Sequence, residues 1–107
     1  KSVRAINIAH YRLDEATKLK ASDKEGCKVA ALQAVAFSRG LPKFKASLGG
    51  DWAGGLTYKT RYDGVMSEKA LFAKLKALGD QATALYKACG GGTPKTTDAD
   101  EMAFKSE

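Results

Sequence analysis

The sequence predicts an all-α fold: a small three- or four-helix bundle with a Gly/Trp loop and a flexible C-terminal tail. Three observations point there. Leu71, Leu75, Leu78, Ala82, Leu85 and Cys89 recur at spacings of 4, 3, 4, 3 and 4, the a/d seam of a helix that packs on other helices. Residues 29–37, VAALQAVAF, are apolar nearly all round, as in a helix surrounded by its neighbours. The chain is rich in alanine and lysine, both strong helix formers. Its 107 residues make one domain, and 44% hydrophobic with 28% charged residues is ordinary globular composition.

The elements follow in order. A first helix is expected over residues 2–20, where Ile6, Ala9, Leu13 and Ala16 share one face. A second follows SDKEG, with Ser22 and Glu25 at the spacing of a capping box and Asp23 adding charge to the first turn. Arg39, Gly40 and Pro42 mark its end. Pro42 then opens a short third helix, PKFKASL. The Gly/Trp loop, GGDWAGG, comes next, and Trp52 is expected to drop its ring onto the helices. In residues 56–63 Leu56, Tyr58, Thr60 and Tyr62 alternate with polar side chains, a strand pattern. With no visible partner strand, the segment is expected to cross the domain extended or as a short helix. Ser67 and Glu68 start the a/d helix, and Gly90 ends it. The domain is therefore assigned to residues 1–90, with linker and tail in 91–107. Asp98 and Glu101 there could cap a short helix carrying Met102 and Phe104.

Cys27 stands at the start of the second long helix and Cys89 at the end of the last. Antiparallel packing brings them together, and a disulfide is the expectation; parallel packing leaves two buried thiols. A bridge implies an oxidising compartment, extracytoplasmic or organellar. Two cysteines and one distant histidine do not make a zinc site, and no cofactor or metal is expected.

Chemistry is sparse. His10, the sole histidine, falls at the edge of the first helix's apolar stripe, where a boundary residue is more common than a base. Nothing resembles a nucleophile–base signature, so no enzyme activity is expected. Gly50 to Gly55 has the glycine spacing of a phosphate loop, yet Leu56 and Thr57 stand where lysine and Ser/Thr are required. No apolar run reaches the ~20 residues of a membrane span, and residues 1–10 lack the apolar stretch of a signal peptide. Lys1 in first position is what a processed chain or a fragment would show.

The net charge of +6 and pI near 9.4 favour an acidic partner. Negative chemistry with a positive surface predicts a non-catalytic accessory subunit that docks on a larger protein assembly. Its contact residues are expected among Trp52, Tyr58, Lys59, Arg61, Tyr62, Met102 and Phe104. One alternative is nucleic-acid binding by the basic-aromatic stretch 58–62, where tyrosines stack on bases and Lys59 and Arg61 hold phosphates. Another is a carrier of a small apolar ligand between the helices.

Overall fold

The computed structural model describes residues 4–47, 57–97 and 100–101. Three helices and one two-stranded sheet are seen in that range, in the order α1 (Arg4–Leu19), α2 (Lys24–Ser47), β1 (Thr57–Thr60), β2 (Gly64–Ser67) and α3 (Glu68–Ala88). The fold is mostly helical and not purely all-α. The Gly/Trp loop with Trp52 lies outside the described residues, as do Met102 and Phe104.

α1 buries Ala5, Ile6, Ala9 and Ala16, one face at helical spacing. Its link to α2 is tight, with Asp23 N–H donating to the Leu19 carbonyl at 2.8 Å. The cap of α2 is Asp23, whose Oδ1 accepts from Gly26 N–H at 3.0 Å, and not the expected Ser22–Glu25 box. Glu25 instead pairs with Lys28 at 2.8 Å.

α2 does not stop at Gly40. It runs through Pro42 to Ser47, so the separate third helix expected from residue 42 is its last turns. Pro42 cannot donate to the Ser38 carbonyl, and a proline inside a helix costs about 3 kcal/mol. What offsets that is burial. Leu41 continues the face of Ala34 and Phe37 and packs with Ile6 and Leu75 in one cluster.

The helices alternate in direction. Ala16 near the end of α1 shares a cluster with Cys27 near the start of α2 and Cys89 just past α3. At the opposite end Ile6, Leu41, Leu71 and Leu75 meet. Antiparallel α2 and α3 set Cys27 and Cys89 side by side, Cα atoms 6.2 Å apart, and the two form the expected disulfide. Ser67 caps α3 as anticipated, its hydroxyl accepting from Ala70 N–H at 3.2 Å, and the helix ends before Gly90.

The alternating segment has a partner after all. β1 pairs antiparallel with β2, Tyr58 opposite Met66 and Lys59 opposite Val65. The described part of the expected flexible tail is folded back on α2. Pro94 is buried, Arg39 Nη1 donates to Thr96 Oγ1 at 3.3 Å, and Lys43 meets the buried Glu101 carboxylate at 3.2 Å. The capping residue there is Thr97, which exchanges hydrogen bonds with Asp100.

Candidate functional site: an anchored hairpin

The β1–β2 hairpin collects most of the described residues singled out in the sequence. Its inner face is fixed to the core. Tyr58 is 3% exposed, and its hydroxyl donates to Glu68 Oε1 at 3.1 Å. Tyr58 is therefore not available to stack on a base or a partner. Period two turns Lys59 and Val65 outward on the opposite face.

The turn between the strands closes on its own polar groups. Thr60 Oγ1 donates to the Gly64 carbonyl at 2.8 Å and accepts from Asp63 N–H at 3.0 Å. Gly64 takes φ +69°, a backbone region that residues with a Cβ rarely enter. The chain can thereby re-enter β2 directly after Asp63.

The tip is then tied to two helices. From α1, Asn7 Oδ1 accepts from Arg61 N–H at 2.8 Å. One helical turn on, His10 Nε2 lies 2.7 Å from Asp63 Oδ2. The Tyr62 ring stacks on His10 with centroids 4.6 Å apart and a 32° tilt. From α3, Lys74 Nζ stands 3.6 Å from Asp63 Oδ1. Asn7 and His10 are three residues apart, so one face of α1 carries both holds.

Together these contacts clamp the hairpin tip: both Asp63 oxygens have partners, Nε2 of His10 lies against one of them, and the adjacent Thr60 hydroxyl bonds within the turn. Among the described residues, no group of three His, Cys, Asp or Glu side chains could hold a metal ion.

What the clamp presents outward is mixed. Val65 is 65% exposed and Tyr62 46% exposed, both large apolar side chains. Lys59 and Arg61 are exposed beside them in the sequence. Thus Lys59, Arg61 and Tyr62 are brought to one hairpin, while Tyr58 supports it from below. Sequence reasoning placed His10 at the edge of the α1 stripe but missed its pairing with Asp63, and it missed Asn7 and Val65. His10 and Asp63 are separated by 53 positions, and no local pattern reports such a pairing. The short GVMS strand, set directly against a helix cap, could have been found by asking what pairs with residues 57–60. In comparison with known proteins, no family model matches the chain, nor does any curated protein or solved structure.

Proposed function

We propose that this protein is a non-catalytic binding subunit that docks on a larger protein assembly through the outer face of its hairpin. The three helices act as a bundle-type scaffold, and the hairpin is the contact element. The observation that carries this reading is the exposure of Val65 and Tyr62 on a hairpin whose other face is held at Tyr58, Arg61 and Asp63. Aromatic and apolar side chains that lose little freedom on docking supply most of the energy of protein interfaces. Lys59 and Arg61, with the net charge of +6, favour an acidic rim on the partner, which raises the association rate more than the affinity. The tail keeps a lesser role in this reading, because the described acidic residue Glu101 is already engaged by Lys43.

Size exclusion of the native source extract, with and without nuclease, tests the reading when this chain is followed by mass spectrometry. A large species that survives nuclease is expected for the wild type. The Tyr62→Ala/Val65→Ser variant should elute near its own 11.4 kDa with an unchanged circular dichroism spectrum. A large species that collapses with nuclease transfers the site to nucleic acid and makes Lys59 and Arg61 the residues to change. Wild-type elution near the monomer mass in both runs removes the assembly reading.

A further inference from the structure

The two strands of the hairpin are protected differently against pairing with another chain. β1, TYKT, carries Lys59, and a lysine is one of the devices that keep a strand edge from templating a further strand. β2, GVMS, carries neither a charge nor a proline. Among the described residues no strand lies beyond it, since the sheet has only β1 and β2. Met66 packs inward with Tyr58 against the core, while Gly64, Val65 and Ser67 are exposed. The ladder with β1 supplies the only hydrogen bonds that reach the backbone of Val65 and Met66 among the described residues. In an antiparallel pair alternate residues turn their N–H and C=O away from the partner strand. One of these two residues therefore directs both groups to the open edge, where they form a short template for another strand.

The exposed charges around that edge have one sign. Lys59 stands opposite Val65, Arg61 follows in the turn, and Lys69 lies in the first turn of α3; all three are exposed. The carboxylates of the same stretch are engaged. Asp63 is held by His10 and Lys74. Glu68 is buried and accepts from the Tyr58 hydroxyl. The field that an arriving segment meets is therefore positive, and it favours a negatively charged one. Single-stranded nucleic acid is also negative, but it has no amide groups at the spacing of a strand ladder. An extended polypeptide has them, and strand addition draws its affinity from those main-chain bonds.

We infer that β2 is an acceptor edge for an extended acidic segment of the protein partner, which adds to the hairpin as a third strand beside Val65 and Met66. This inference rests on the docking reading above and specifies its mode. The segment's backbone bonds the open edge, an apolar side chain covers Val65, and its carboxylates lie in the field of Lys59, Arg61 and Lys69.

The test titrates the isotope-labelled, disulfide-bonded chain with three unlabelled probes: a peptide of alternating glutamate and valine, a peptide of alternating lysine and valine, and oligothymidylate. The acidic peptide should give saturable amide shifts at residues 64–67 and bind at least tenfold more tightly than either of the others. Isotope-filtered NOE spectra should show contacts between the peptide backbone and the backbone of Val65 or Met66. Lys59→Glu/Arg61→Glu should weaken the acidic peptide at least tenfold with an unchanged circular dichroism spectrum. The inference is overturned by the absence of saturable shifts at residues 64–67, by equal or tighter binding of the lysine peptide or oligothymidylate, or by undiminished binding to the charge-reversed variant. Contacts confined to the Tyr62 and Val65 side chains would also end strand addition while leaving hairpin docking in place. Docking itself fails on the size-exclusion result above, so the two failures are told apart.

Discussion

The two ends of this molecule are held together by different physics. At the Cys27–Cys89 end the buried side chains are small: Ala16, Ala30 and Ala31 surround the bridge. At the hairpin end they are large: Ile6, Phe37, Leu41, Leu71 and Leu75. Alanines remove little apolar area from water, and each large aliphatic side chain contributes roughly 1.5–3 kcal/mol on burial. The cross-link therefore stands where the core is weakest. It acts mainly by constraining the unfolded chain, whereas the hairpin end gains from contacts in the folded one. The lesson is that a short chain can leave one end lightly packed if it is covalently closed, and spend its large side chains under the surface it displays.

Breaking the bridge gives the largest expected effect. Cys27 and Cys89 are 62 positions apart, and closing a loop of that length is worth roughly 4 kcal/mol in the chain-entropy model. The Cys27→Ala/Cys89→Ala variant should lose about that much in urea unfolding, with a larger m-value as the unfolded chain expands. Arg61 amide protection at the far end should fall only by the global amount. A loss under about 1 kcal/mol would mean that alanine packing alone holds that end.

Truncating an apolar side chain at each end sharpens the contrast. Leu75 is fully buried, and Leu75→Ala should cost about 3 kcal/mol. Leu85 is only partly buried against the disulfide cluster, and Leu85→Ala should cost nearer 1 kcal/mol. Equal losses in denaturant unfolding would remove the distinction between the ends.

The distinction was partly legible in the sequence. The a/d seam from Leu71 to Cys89 and the antiparallel logic of Cys27 and Cys89 are local or near-local patterns, and both appear in the structure. The end of α2 was misplaced because Gly40 and Pro42 are strong stop signals. Their effect is overridden by Leu41 in the core, a contact with residues far away in the chain. The hairpin was half legible. Alternation marked β1, but its turn, RYD before Gly64, is not one of the usual two-residue turns. β2 is four residues long and runs straight into a helix cap. The polar clamp was not legible at all, since Asn7 and His10 sit on a helix whose apolar stripe says nothing about its polar edge.

Between the two ends, α2 and α3 cross at Gly79. A Cβ there would come within 2.6 Å of Ser38 Oγ and 3.3 Å of Ser38 Cβ. Alanine gains about 1 kcal/mol over glycine in helix propensity, while overpacking costs typically 1–3 kcal/mol. Ser38 cannot simply turn away, because its hydroxyl donates to the Val35 carbonyl at 2.7 Å. Gly79→Ala should lose about 1 kcal/mol net. Adding Ser38→Ala should return part of the loss, a coupling that a double-mutant cycle in denaturant reads directly. Additive losses would show that the helices already have room at the crossing.

The clamp on the hairpin should matter more for local order than for global stability. His10→Ala and Asp63→Asn should each cost no more than about 1 kcal/mol in unfolding, as for ion pairs near the surface. Both should speed hydrogen exchange at the Arg61 amide, which donates to Asn7. They should leave the amides around Cys89 unchanged. If exchange at Arg61 matches the wild type in both variants, the Asn7 bond and the Tyr58–Glu68 anchor hold the hairpin without the His10–Asp63 pair.

The smallest effect belongs to the returning segment, and its sign follows from Asp100. The Asp100 carboxyl lies below its ordinary value, first because Thr97 N–H donates to it and then because the Thr97 hydroxyl does. A carboxyl depressed in the folded state contributes its stabilisation above the ordinary carboxylate range and loses it as pH falls through the folded value. The Thr97–Asp100 cap should thus be intact at neutral pH and loosen below about pH 4. The Glu101 amide, which donates to the Thr97 carbonyl at 3.0 Å, is the reporter. Its exchange, corrected for the intrinsic pH dependence, should accelerate across that window, while amides at the disulfide end stay protected. Asp100→Asn keeps one side-chain acceptor and removes the titrating charge, so it should flatten the change attributable to Asp100. An unaltered acid transition in that variant would show that the Asp100 cap is not the pH-sensitive part of this segment.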